Sequence, residues 1–127
     1  LPMASRPEIL VFGCREDDLA VLRSVSGPRG LVLRATETAG AFAEHAVARH
    51  PVAAVVGVGP HTLANLDVIP VVRAVRTDLP VIVVAEEDSL ELERRARGES
   101  IFYYLVHPVD RSEVEALLKS IMRHARA

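Results

Sequence analysis

The chain has 127 residues and a formal net charge of -2; 50% of it is hydrophobic and only 4% aromatic. That length fits one domain with a real, aliphatic core, and the interspersed charges exclude the basic stripe of a nucleic-acid binder. The lone cysteine, Cys14, excludes an intramolecular disulfide and a multi-cysteine metal site, and points to a reducing, cytoplasmic setting.

Residues 1–7 read as a disordered lead or a remnant of expression, and 8–127 as the domain. Ile9-Leu10-Val11-Phe12, bounded by Gly13, predicts a first strand. Leu19, Val21, Leu22 and Val25 then recur at helical spacing, and Gly27-Pro28 with Gly30 stop that helix. Leu31-Val32-Leu33 predicts a second strand. Thr38 can cap a helix over 38–50, with Phe42, Ala43, Ala46 and Val47 on one face, and Pro51 ends it. The run 52–56 is the most buried-looking strand, followed by a loop over 57–65. The next helix starts near Asp67, tolerates Pro70 in its first turn and ends near Asp78. Residues 80–85 predict a fourth strand, and 89–97 a short charged helix closed by Gly98. In the fifth strand, 101–106, alternation sends Phe102 and Tyr104 one way and Tyr103 the other. Asp110 and Glu113 form a capping-box pattern before a last helix through Val114, Leu117, Leu118, Ile121 and Met122.

Five strands thus alternate with five helices, the signature of βαβ units. Right-handed crossovers place helices on both faces of a parallel sheet. The expected fold is α/β, a doubly wound (βα)5 sheet in the flavodoxin-like order 2-1-3-4-5, although periodicity alone does not give strand order. The longest apolar stretch, 52–58, is far shorter than the ~20 residues that span a bilayer. No signal-peptide pattern is read in the first residues. The chain is equally compatible with one domain of a longer protein.

Four segments together resemble the receiver domain of bacterial-type two-component response regulators over nearly the whole chain. They are the opening strand 9–12, the third strand with its proline-bearing loop, Leu79-Pro80-Val81-Ile82-Val83-Val84, and Tyr104-Leu105-Val106-His107-Pro108-Val109. The last is similar to that family's aromatic-x-x-Lys-Pro segment, and the resemblance implies a cis bond before Pro108. It also implies a phosphorylation site at the strand ends: an acidic pair and an aspartate holding Mg²⁺, a hydroxyl residue and a lysine. Magnesium wants oxygen ligands, and the phosphoryl group needs its charge neutralised. This chain departs at every position, with Gly13 and Cys14 for the acidic pair, Gly57 for the acceptor, Ala85 for the hydroxyl and His107 for the lysine. The expectation is a degenerate pseudo-receiver that binds no metal or cofactor.

Other residues have competing readings. Glu16, Asp17 and Asp18 could be a displaced metal site; as acids at a helix N-terminus they need no further role. Cys14 could be a low-pKa thiolate or a phosphocarrier. However, the residue six positions on is Ala20 rather than a phosphatase-type arginine, and the following Arg15-Glu16-Asp17-Asp18 would repel phosphate. His107 could titrate or carry a phosphoryl group, but no acid partner stands near it in sequence. It reads as a neutral replacement for lysine. Phe102, Tyr103 and Tyr104 gather three of the five aromatics and, with Arg94 and Arg95, are candidate switch or interface residues. Tyr104 stands where receivers keep a switch aromatic.

The expected function is therefore that of a non-enzymatic signalling domain in a two-component-type regulatory protein. It would act by protein–protein interaction or dimerisation through the face of the fourth helix, fifth strand and last helix. It would bind no nucleic acid and no membrane. The alternative is a switch with non-standard input: a ligand, pH at His107, or redox at Cys14.

Overall fold

The structure, a computed structural model, describes residues 6–126. Of the expected lead, residues 1–5 lie outside this range, while the carbonyl of Pro7 accepts the Val32 amide at 2.9 Å. Five strands, β1 (Glu8–Phe12), β2 (Val32–Thr36), β3 (Ala53–Val58), β4 (Val81–Ala85) and β5 (Tyr103–Val106), form one parallel sheet in the order 2-1-3-4-5. Between and after them run α1 (Glu16–Ser26), α2 (Ala39–Ala48), α3 (Val68–Val75), α4 (Leu90–Arg97) and α5 (Arg111–Arg126). The flavodoxin-like architecture is the one expected. No described helix is long and apolar enough to cross a membrane.

Strand alternation divides the core into two layers. Leu10, Ala54, Val56, Val81 and Val83 point to α2, α3 and α4, where Phe42, Ile69, Val72 and Leu92 cover them. Ile9, Val11, Val55, Ile82 and Leu105 point to α1 and α5, against Leu22, Val114, Leu118 and Ile121. Both faces of β3 and β4 are buried throughout, as a sheet covered on two sides requires.

Local signals place most helix starts. The Thr38 hydroxyl accepts the Ala41 amide at 3.0 Å and the Ser89 hydroxyl the Leu92 amide at 3.2 Å. Each satisfies an orphan donor of its helix. The Asp110 carboxylate accepts the Glu113 amide at 2.9 Å, but the capping box is only half made. The Glu113 carboxylate turns instead to the Tyr103 hydroxyl, which donates to it at 2.8 Å.

Several expectations are corrected. β3 runs two residues further than expected, because Gly57 and Val58 pair with Val84 and Ala85. A 3-10 turn at Leu63–Asp67 precedes α3, which stops at Val75 rather than near Asp78. Val47 is exposed rather than facing the core, since it lies about 100° around the helix from Ala46. β5 begins only at Tyr103. Phe102 therefore lies in a bend outside the strand and packs on the α5 side, 5.9 Å from the His124 ring, while Tyr104 packs on the opposite layer.

At the amino end of the sheet, Glu8 joins two strands and a helix. Its carboxylate accepts from Arg34 at 2.8 Å and from Arg49 at 3.0 Å. These bonds, Arg49's first, hold the Glu8 carboxyl down at about 2.

Candidate functional site

In open α/β sheets, ligands bind outside the carboxyl ends of the strands. The five positions singled out in the sequence lie along that edge. Gly13 and Cys14 follow β1, Gly57 is the penultimate residue of β3, Ala85 ends β4 and His107 follows β5. The His107 amide donates to the Ala85 carbonyl at 2.7 Å, which ties the last two together. The His107–Pro108 bond is cis, as the resemblance implied.

The centre of this edge is filled by backbone. Gly13 has φ +82°, a conformation that favours glycine. A Cβ on Gly57 would press into the Gly13 carbonyl and lie 2.7 Å from the Cys14 nitrogen. A Cβ on Gly13 would lie 2.8 Å from the Gly57 carbonyl oxygen. The two strand ends thus meet without side chains between them, which explains why Gly57 sits inside a strand rather than breaking it. Asn65 closes the arrangement: its side-chain amide donates to the Gly57 carbonyl at 2.9 Å.

Beside this contact stands a charged cluster. Asp18, in the first turn of α1, is only 2% exposed. Its carboxylate lies 2.8 and 2.9 Å from Nδ1 of His107 and accepts the Val109 amide at 3.2 Å. A buried carboxylate needs such donors. Asp17 is exposed; its Oδ1 accepts the Asp18 amide at 3.1 Å and the Arg15 guanidinium at 3.3 Å. Its Oδ2 lies 3.7 Å from Nε2 of His107. Asp17, Asp18 and His107 are thus one group.

These contacts correct two sequence readings. Asp18 is a helix-end acid, as read, but a buried one with its own partners rather than one without a further role, and His107 has an acidic partner 89 residues away. The signal for Asp18 was present but unread: it stands four and seven residues before Leu22 and Val25, on the apolar stripe of α1. Asn65 was read only as the end of a loop, and no local pattern marks it.

Cys14 is half-buried. Burial, reinforced by the Asp18 charge, pushes its thiol up to about 12. That is opposite to the depression a nucleophilic or phosphocarrier thiolate needs.

The magnesium ion that the resemblance implies does not fit the residues present. Gly13, Cys14 and Gly57 offer no carboxylate, and the Asp18 oxygens already accept from His107 and Val109.

The face of α4, β5 and α5 carries the remaining candidates. Arg94 and Arg95 are exposed, Leu90 is 62% exposed and Tyr103 39%. Tyr104 is buried, its ring lies 5.8 Å from the Arg97 guanidinium carbon, and its hydroxyl has no hydrogen-bond partner among the described residues.

No protein-family model matches the chain. No curated protein matches it either. Solved structures do. The signal receiver domain of an HD domain-containing protein from Pseudomonas fluorescens superposes with a TM-score of 0.80 at 21% identity, over 94% of this chain and 97% of that one. A response regulator receiver protein from Pseudoalteromonas atlantica gives 0.78 at 16% identity, over 94% and 99%. A CheY-like protein from Pseudomonas aeruginosa gives 0.79 at 11% identity, over 91% and 98%. At such identities the likeness establishes the fold, that of CheY-like receiver domains.

Proposed function

We propose that this chain is a pseudo-receiver: a signalling domain that takes no phosphoryl group and acts by binding another protein in a two-component-type regulatory protein. One observation carries the reading. Backbone atoms of Gly13 and Cys14 stand where any side chain on Gly57 would have to begin. An acceptor carboxylate is absent there and has no room. Ala85 supplies no hydroxyl at the end of β4, and His107 is engaged by Asp18.

The partner surface in this reading is the face of α4, β5 and α5, toward a signalling or output domain or a second copy. Leu90 and Tyr103 give it apolar area, and Arg94 and Arg95 a polar rim, the usual anatomy of an interface. Of the three adjacent aromatics, Tyr103 is the one presented to solvent. The domain is non-catalytic and cytoplasmic in this reading, and binds neither nucleic acid nor membrane.

The test is a two-dimensional amide NMR titration of the labelled chain with Mg²⁺ and then beryllofluoride, a phosphoryl mimic. Unmoved resonances at Gly13, Gly57, Ala85 and His107 are expected. Saturable shifts at those strand ends in the presence of both reagents would overturn the reading.

A second reading, a switch with non-standard input, is favoured by the Asp18–His107 contact, which links α1 to the loop before α5. Nothing comparable favours Cys14.

A further inference from the structure

We infer that Nε2 of His107 and the Asp17 carboxylate form a binding site for a divalent transition-metal ion of the zinc class. The inference is independent of whether the domain binds a protein partner.

The argument starts from which atoms are already engaged. With a neutral ring, the Nδ1–H of His107 donates to the buried Asp18 carboxylate at 2.8 Å. That bond fixes the tautomer and leaves the Nε2 lone pair facing out. Metal-binding histidines are held in this way, with the second ring nitrogen donating to a carboxylate. Asp17 is held too: Oδ1 takes the Asp18 amide and Arg15. Its Oδ2 and the His107 Nε2 have no hydrogen-bond partner among the described residues, and they face each other at 3.7 Å.

That spacing suits a metal. Two ligands of a tetrahedral zinc, each about 2.0–2.1 Å from the ion, stand about 3.4 Å apart. Closing the gap takes a few tenths of an ångström from Asp17, whose side chain is 60% exposed and has that freedom.

Charge selects a cation. Asp17 and Asp18 place two carboxylates around the imidazole, which repels phosphate and so disfavours a phosphohistidine at Nε2. The partial positive charge of the α1 amino end and the Arg15 guanidinium oppose a cation, but the former is only about half a charge, and Arg15 contacts the far oxygen of Asp17. One imidazole and one carboxylate suit zinc, nickel, cobalt or copper rather than magnesium. Two protein ligands leave the other positions to water, so the ion exchanges readily.

The experiment is a Zn²⁺ titration of the full chain, read by histidine side-chain NMR, with Asp17→Asn and His107→Gln alongside. A saturable, equimolar shift at His107 Nε2 is expected, with affinity at least tenfold weaker in Asp17→Asn and no response to equal Mg²⁺. Because Asp17 is exposed, that variant keeps its fold even if His107→Gln does not. No shift at His107, an unchanged affinity in Asp17→Asn, or a tighter response at His45, His50, His61 or His124 would each overturn the inference.

Discussion

The carboxylate of Asp18 lies 2.8 Å from Nδ1 of His107, joining the first turn of α1 to the end of β5 across 89 residues of sequence. The same carboxylate accepts the Val109 amide, so it braces both sides of the cis His107–Pro108 bond. Removing either partner leaves the other without its charge-assisted contact, and Asp18 is the buried one.

His107→Ala should therefore destabilise the domain by about 3 kcal/mol, the usual cost of orphaning a buried ionised group. His107→Lys supplies a donor to the Asp18 carboxylate again and should recover most of that loss. Urea unfolding of the three proteins checks this. Equal loss in the alanine and lysine variants would mean that ring packing, rather than the pairing with Asp18, holds the loop.

Restoring an acid at the acceptor position should not restore a receiver's chemistry. Gly57→Asp is expected to cost about 2 kcal/mol from overpacking against the Gly13–Cys14 backbone. Gly57→Ala should cost nearly as much, since the Cβ is the group without room. A domain of this size loses roughly 3–5 °C in Tm per kcal/mol, so thermal melts resolve it. Wild-type stability in Gly57→Ala, or binding of beryllofluoride by Gly57→Asp, contradicts the closed strand ends.

Asn65→Ala should cost about 1 kcal/mol through the lost bond to the Gly57 carbonyl. It should also increase solvent exchange of the Gly13 and Cys14 amides, measured by hydrogen–deuterium exchange. Unchanged exchange would show that the two glycine backbones close the site unaided.

Cys14 should react with iodoacetamide very slowly between pH 7 and 9, because a thiol at about 12 holds almost no thiolate there. The rate should rise steeply on adding denaturant. Fast alkylation of the folded chain near neutrality would instead revive a thiolate role for this residue.

Glu8 makes the stability depend on acid in a defined direction. Its folded carboxyl is lowered from 4.5 to about 2, so it releases its proton more readily folded than unfolded. Its contribution is complete above pH about 4.5 and is lost as pH falls through about 2. Arg34 and Arg49 are part-exposed, so screening limits the contribution to about 1–2 kcal/mol. Glu8→Gln should be less stable than wild type by that amount at pH 7, and the two should converge in acid. A gap that stays constant with pH would assign the loss to packing.

The sequence by itself determined the five-fold alternation of strands and helices, the parallel sheet covered on both faces, and the helix starts at Thr38 and Ser89. These signals are local: periodicity, caps and turn residues act within a few positions of each other. It also showed which residue types stand at the strand ends, because the order of apolar runs numbers those ends. Tertiary structure alone decided what those residues do there. Gly57 looked like the start of a loop and is the point where two backbones touch, a role that depends on β1 lying beside β3. Asp18 looked like a helix-end acid without a further role and His107 like a neutral filler until α1 and the end of β5 were brought together. Phe102 and Tyr104 parted because β5 begins one residue later than their alternation required. In each case the deciding contact joins segments distant in sequence, or rests on a strand boundary set by its neighbour. Short-range patterning carries no record of either.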